Sequence, residues 1–247
     1  MPITPNQGAT SGGTLVTITG TNLGGATAVH FGPNLGTITG NTPTQVTVIS
    51  PAGSGVVDTT VTTVGGTSNP LRFYYVQPPY KAGISSSAGP VAGGNTVTLS
   101  GVNLSGATAV AFGANSATPT VVNDGSLDVA VPAAAVAGPV SVTVTTPGGT
   151  VDGLTYNYVD SPTVATISPT SGTTAGGTVV SITGTSLSTT TSVTFGGTPA
   201  NFGVISDTEI SVRTPPGTAG AADVTVTTAG GSATAVAGFT YVSGPEI

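Results

Sequence analysis

A nine-residue stretch occurs three times in this 247-residue chain. It reads Gly12-Gly13-Thr14-Leu15-Val16-Thr17-Ile18-Thr19-Gly20, returns as Gly93-Gly94-Asn95-Thr96-Val97-Thr98-Leu99-Ser100-Gly101, and returns again as Gly176-Gly177-Thr178-Val179-Val180-Ser181-Ile182-Thr183-Gly184, at offsets of 81 and 83 residues. Paired glycines supply backbone angles that other residues avoid, and between them apolar and hydroxyl residues alternate with period two. Each copy therefore reads as a turn, a strand and a second turn, with Val16 and Ile18 on one face and Thr17 and Thr19 on the other. A strand with one apolar face needs a second sheet to cover it. Three such strands imply three sandwiches of about 80 residues each.

Further landmarks recur in the same order. A second strand is Ala28-Val29-His30-Phe31, then Ala109-Val110-Ala111-Phe112, then Ser192-Val193-Thr194-Phe195, with the Val and Phe facing the core. A third is Val46-Thr47-Val48, Leu127-Asp128-Val129 and Ile210-Ser211-Val212, each ended by a proline, Pro51, Pro132 or Pro215, because proline removes a ladder donor. The penultimate strand reaches the paired-glycine turns Gly65-Gly66, Gly148-Gly149 and Gly230-Gly231, which predict a hairpin. The last strand sets two aromatics on one face: Phe73 with Tyr75, Tyr156 with Tyr158, and Phe239 with Tyr241. The copy starting at Ile3-Thr4-Pro5 lacks residues that precede Ile84 and Ile167, so its first strand is expected to be a short edge.

The prolines of Val76-Gln77-Pro78-Pro79 and Val159-Asp160-Ser161-Pro162 mark short stiff joints. They divide the chain into 1–77, 78–160 and 161–247, expected end to end as an elongated rod of roughly 100–120 Å.

Composition excludes several functions. Charged residues are 5% of the chain, against about 25% in ordinary domains. The net charge is −6, with Arg72, Lys81 and Arg213 the cations. Phosphate backbones and anionic membranes need several Lys and Arg together, so neither is an expected partner. There is no cysteine, hence no disulfide and no thiolate. No apolar run has the length of a membrane span, and no membrane insertion is expected. Met1-Pro2-Ile3-Thr4-Pro5 has neither the basic start nor the apolar core of a secretory signal. That leaves another export route, a processed leader, or a particle assembled inside the cell.

The segments Ile167-Ser168-Pro169-Thr170-Ser171-Gly172, Ile182-Thr183-Gly184-Thr185-Ser186-Leu187, Val193-Thr194-Phe195-Gly196-Gly197, Thr214-Pro215-Pro216-Gly217 and Phe239-Thr240-Tyr241-Val242 resemble the IPT/TIG domain, and the other two copies match with small departures. The resemblance implies an all-β, immunoglobulin-like fold in three tandem copies. It looks like the tandem type of bacterial surface and secreted proteins, where such domains are spacers, adhesive modules or accessories to enzymes. The fold also serves Rel-type transcription factors and receptor stalks, and the family brings no catalytic residues.

Candidate sites are few. His30 points away from the core on a polar strand face and reads as an exposed structural residue. Asp124 and Asp207 precede matching strands and suit turns in which Asp bonds its own backbone; Asp58, Asp128 and Asp223 fall outward on strands; Asp152-Gly153 reads as a turn. None forms a metal loop, so no metal or cofactor is expected, although Asp160 sits at a joint. The richest patch is Arg72, Tyr74, Tyr80 and Lys81 at the first joint, where exposed aromatics beside cations can hold a protein or a sugar.

The expected function is a non-enzymatic structural or adhesive rod, a spacer or assembly subunit on a bacterial surface or a secreted or phage-like particle. The alternative is a carbohydrate- or protein-binding module using that patch. The lysine-poor sheet edges permit self-association.

Overall fold

The computed structural model describes residues 2–244, which fold into six sheets paired as three two-layered sandwiches without a helix. In the first sandwich one sheet runs Ile3–Thr4, Leu15–Thr19, Gln45–Ile49, Thr37–Thr42. The facing sheet runs Gln7–Ala9, Leu71–Val76, Val56–Thr63, Ala28–Phe31, Asn34–Leu35, with Gly66–Thr67 also paired to Val56–Thr63. The second and third sandwiches repeat this order, from Tyr80–Ile84 to Gly149–Val159 and from Thr163–Ser168 to Gly231–Val242. By Cα proximity the chain divides into two compact bodies, Met1–Ser85 with Val97–Val129 and Ser141–Leu154, and Ser86–Thr96 with Ala130–Val140 and Thr155–Ile247.

The three glycine-bounded stretches form the strands Leu15–Thr19, Thr96–Val102 and Val179–Thr185. Their predicted inward residues, Val16 and Ile18, Val97 and Leu99, Val180 and Ile182, are fully buried. Glycine is required at the first position of each pair. Gly12, Gly93 and Gly176 have φ of 78°, 65° and 76°, and a Cβ there would strike the backbone of the proline turn opposite.

Two features carry no local apolar pattern and were not anticipated. The chain changes sheets after its first turn, so that Gln7–Ala9, Ala88–Pro90 and Ser171–Thr173 pair parallel with the last strand of their sandwich. An additional edge strand, Thr37–Thr42, Thr120–Asn123 or Asn201–Ser206, pairs with the strand that follows it.

The core of the first sandwich holds ten buried apolar side chains and that of the third eleven. At about 2 kcal/mol for each fully buried large side chain, these do the work that disulfides do in many small extracellular domains. The aromatics meet edge to face: Phe31 and Phe73 at 5.0 Å, Phe73 and Tyr75 at 5.1 Å, Phe195 and Phe239 at 5.3 Å, Phe239 and Tyr241 at 5.1 Å, Tyr156 and Tyr158 at 5.1 Å. The second aromatic of each last strand, Tyr75, Tyr158 or Tyr241, gives its hydroxyl to the proline turn. Tyr75 donates to the Pro51 carbonyl at 2.9 Å, Tyr158 to Pro132 at 2.7 Å and Tyr241 to Pro215 at 2.8 Å.

Where the first and third copies have Phe73 and Phe239, the second has Tyr156. Its extra hydroxyl is taken up by Asn95 at 3.0 Å, at the position held elsewhere by Thr14 and Thr178.

Outward faces are linked by hydroxyls. Thr166 meets Thr183 at 2.6 Å, Thr163 meets Thr185 at 2.8 Å, and Thr225 meets Thr234 at 2.9 Å.

One expectation is corrected. Asp152-Gly153 is not a turn but lies within the continuous strand Gly149–Val159, where Gly153 has φ of 112°. The first sandwich breaks here because Pro70 has no N–H to give a ladder, leaving Gly66–Thr67 and Leu71–Val76 separate.

A core polar group remains unsatisfied in the first sandwich. Thr59 is fully buried opposite Phe31 and its hydroxyl has no partner among the described residues, whereas Val142 and Val224 occupy the matching register opposite Phe112 and Phe195. Thr59→Val keeps the shape and removes the stranded hydroxyl. It should stabilise the first sandwich by about 1 kcal/mol, read as slower hydrogen exchange of the amides of Val29, Phe31 and Val61 in the whole chain.

Candidate functional site

Each sandwich has a loop that turns through the left-handed region after the glycine-bounded strand. Its residues are Asn22, Asn103 and Ser186, with φ of 58°, 57° and 57°. Asparagine reaches this region at low cost. The next residue, Leu23, Leu104 or Leu187, is buried, and its amide donates to the carbonyl of Pro43, Asp124 or Asp207 at 2.9, 3.0 and 2.9 Å.

In the second and third sandwiches the same aspartates also use their carboxylates. Asp124 accepts from the amides of Asn103 at 3.1 Å and Ser105 at 3.3 Å; Asp207 accepts from the Ser188 hydroxyl at 2.7 Å and the Ser188 amide at 3.3 Å. The expectation that they bond their own turn is thus corrected: their acceptors are turned across to a loop 19 to 21 residues earlier. The first copy has Pro43 at this position and no carboxylate. Asn41 replaces it, accepting from the amides of Gly25 at 2.7 Å and Ala26 at 3.2 Å and donating to the Leu23 carbonyl at 2.7 Å.

Two further aspartates are structural in the same sense. Asp128 accepts from the Thr98 hydroxyl at 2.7 Å, and Asp223 from the amide of Ala237, itself at φ of 52°. Asp160 and Asp207 line one groove of about 320 Å³ with Ser186 and Ser188, but Asp207 is already committed to Ser188. Among the described residues no group of three or more His, Cys, Asp and Glu is placed to hold a metal. His30 is half-buried on Ala28–Phe31, its side chain directed away from the face that carries Val29 and Phe31. No helix among the described residues is long and apolar enough to cross a membrane.

The structure removes Lys81 from the predicted patch and leaves the other three residues exposed. Tyr74 is 40% exposed and Tyr80 62% exposed, and Arg72 is exposed opposite Asp58 in the sheet. Lys81 is only 7% exposed and leaves the patch: its ammonium donates to the backbone carbonyl of Val142. It occupies the register position that Val164 holds in the third sandwich, so its stem fills core space. Burial lowers its pKa, and the charge of Asp152 opposes that shift.

The chain matches one family model, that of the IPT/TIG domain, three times, over residues 1–75, 79–158 and 162–241. The chain belongs to the IPT/TIG family. It is 45% identical over 69 residues to fibrocystin-L of Mus musculus, a match spanning 28% of this chain and 2% of that protein. Among solved structures, the extracellular region of plexin A4 aligns at 22% identity and a TM-score of 0.49, covering 93% of this chain and 22% of that one. The Escherichia coli adhesin FdeC aligns at 15% identity and a TM-score of 0.31, covering 97% and 92%. The IPT/TIG chain spans only a small part of fibrocystin-L and of the plexin chain.

Hydrogen bonds from the Ser105 side chain and then from the Ser105 and Asn103 amides hold the Asp124 carboxyl below the ordinary carboxylate range; the Ser188 side chain and amide do the same for Asp207. A depressed folded pKa gives a contribution that is fully present above the unfolded value of about 4 and is lost as pH falls through the folded one. The amide resonances of Ser105 and Ser188 should therefore titrate together with their partner carboxylates, at a pH below that of an exposed aspartate. Asp207→Asn should abolish the Ser188 titration while leaving that of Ser105.

Proposed function

We propose that this chain is a non-enzymatic structural or adhesive array, a spacer or assembly subunit on a bacterial cell surface or on a secreted or phage-like particle. The observation that carries this reading is the use made of its chemically capable side chains. The carboxylates of Asp124 and Asp207 hold loops, the hydroxyls of Tyr75, Tyr158 and Tyr241 hold proline turns, and the ammonium of Lys81 holds a strand carbonyl. Side chains so engaged support a scaffold, because a general base or nucleophile must be available to a substrate. Membership in the IPT/TIG family supports a module that works by being strung together with others.

A second reading is a binding module for carbohydrate or protein, favoured by the exposure of Tyr74 and Tyr80. An aromatic face in water offers stacking area to a sugar ring and an anchor to a protein. Arg72 is the cation that remains accessible beside them in sequence.

One experiment separates the two. The chain and its Tyr74→Ala/Tyr80→Ala variant are applied to arrays of glycans and of surface proteins. A spacer or assembly subunit gives the same signal with both. A binding module holds a ligand that the variant loses by about tenfold or more.

A further inference from the structure

The outward face of the sheet that holds Val56–Thr63 in the first sandwich carries different side chains from its counterparts on the same backbone. In the first sandwich His30 lies opposite Leu35, and Tyr74 lies opposite Val56. The pair matching His30 and Leu35 is Ala111 with Ser116 in the second sandwich and Thr194 with Pro199 in the third. Tyr74 gives way to Asn157 and Thr240 at the same register, and Thr240 has Ala221 opposite it where Tyr74 has Val56. At these positions the first sandwich alone has side chains large enough to reach a partner. Leu35, Val56 and Tyr74 are 60%, 53% and 40% exposed.

The charges of this face form a pair. Asp58 and Arg72 are the only Asp, Glu, Lys or Arg in residues 1–77, and they stand directly opposite each other on the neighbouring inner strands Val56–Thr63 and Leu71–Val76. Both are exposed. The guanidinium, the carboxylate and the Tyr74 hydroxyl have no hydrogen-bond or ion-pair partner among the described residues. The third sandwich differs here as well: its Asp223 accepts from the amide of Ala237, and its outer hydroxyls bond each other, as Thr227 does with Ser232 at 2.9 Å.

Such a face is complementary to itself. A two-fold axis parallel to the two inner strands and midway between them exchanges the members of each cross-strand pair. Arg72 of one copy then meets Asp58 of the other, Tyr74 meets Val56, and each contact is made twice. Cation faces anion and aromatic faces aliphatic. An axis running across the strands through the same pair would set Asp58 on Asp58 and Arg72 on Arg72, which charge repulsion opposes. We propose that two copies of this chain pair through this face, sheet on sheet, with Arg72 and Tyr74 as the anchors.

Stacked sheets lie about 10 Å apart, a gap that the long Arg and Tyr side chains cross to reach the short Asp and Val. From strand spacing and rise the face covers roughly 400 Å² per copy, which places it among small, weak interfaces with a dissociation constant of about 10–100 μM. An isologous contact is used up by two copies, so it fastens arrays in pairs and does not extend them. The inference rests on the assembly-subunit reading above and gives that reading a contact surface.

The test is sedimentation velocity of the full chain from about 1 μM to about 1 mM, a range that brackets a contact of this strength. Three variants at exposed positions accompany it: Arg72→Asp, Asp58→Arg and Tyr74→Ala. Hydrogen exchange of the Val29 and Phe31 amides checks that each keeps the fold. The expected result is a plateau at dimer for the parent chain. Each charge reversal alone opposes like charges twice and stays monomeric, whereas an equimolar mixture of the two reversals dimerises again, because every contact across the axis is once more between opposite charges. Tyr74→Ala lowers the association constant about tenfold. Association that ignores the reversals overturns this face and leaves the assembly reading standing. Reversals that dissociate the pair without rescue in the mixture overturn the two-fold pairing, and growth past dimer overturns the closed contact. A parent chain that stays monomeric throughout overturns the face and the assembly reading together; if that monomer holds a glycan or a protein on the arrays and Tyr74→Ala loses it, the face belongs to a foreign ligand.

Discussion

The hydroxyl of one tyrosine per sandwich ties the two sheets to each other at the point where the chain leaves the glycine-bounded layer. Tyr75, Tyr158 and Tyr241 each lie on the last strand, contact another aromatic edge to face, and donate to the carbonyl of the proline that ends a strand of the opposite sheet. Burial raises the pKa of all three, so the donor proton is retained. Around that tie the rest follows: the proline turn is fixed, the first glycine of each pair packs against it, and the strand after the glycines is set in register for its inward residues to meet the aromatics.

The parts of this architecture that were legible in the sequence are those encoded by residues close together. Alternation places Val16 and Ile18 inward, Pro51 ends its strand, and Phe73 and Tyr75 share a face with Tyr74 exposed between them. What was not legible depends on partners far along the chain. Ser171–Thr173 gains its identity as a strand only from Gly231–Val242, and Asn201–Ser206 lies at a sheet edge with mostly exposed side chains, so neither shows an apolar alternation. Asp207 looks like any turn aspartate until Ser188 is brought to it. Lys81 was misread for a related reason. Lysine on an edge strand ordinarily faces water, and only the inward register position and the Val142 carbonyl show that this one does not.

The three copies also show how the same backbone accommodates different side chains by paired exchange. Tyr156 comes with Asn95 where the others pair Phe with Thr, and Asp124 or Asp207 holds the loop that Asn41 holds in the first copy. Each exchange keeps a buried or strained group satisfied, which a single change would not do.

The threonine pairs across the outer faces have a further consequence. Hydroxyl to hydroxyl bonds such as Thr166 with Thr183 and Thr225 with Thr234 join neighbouring strands without any ionised group. Mobile ions screen charges and leave neutral dipoles in direct contact almost untouched. Strands fastened in this way keep their cohesion in brine as in fresh water.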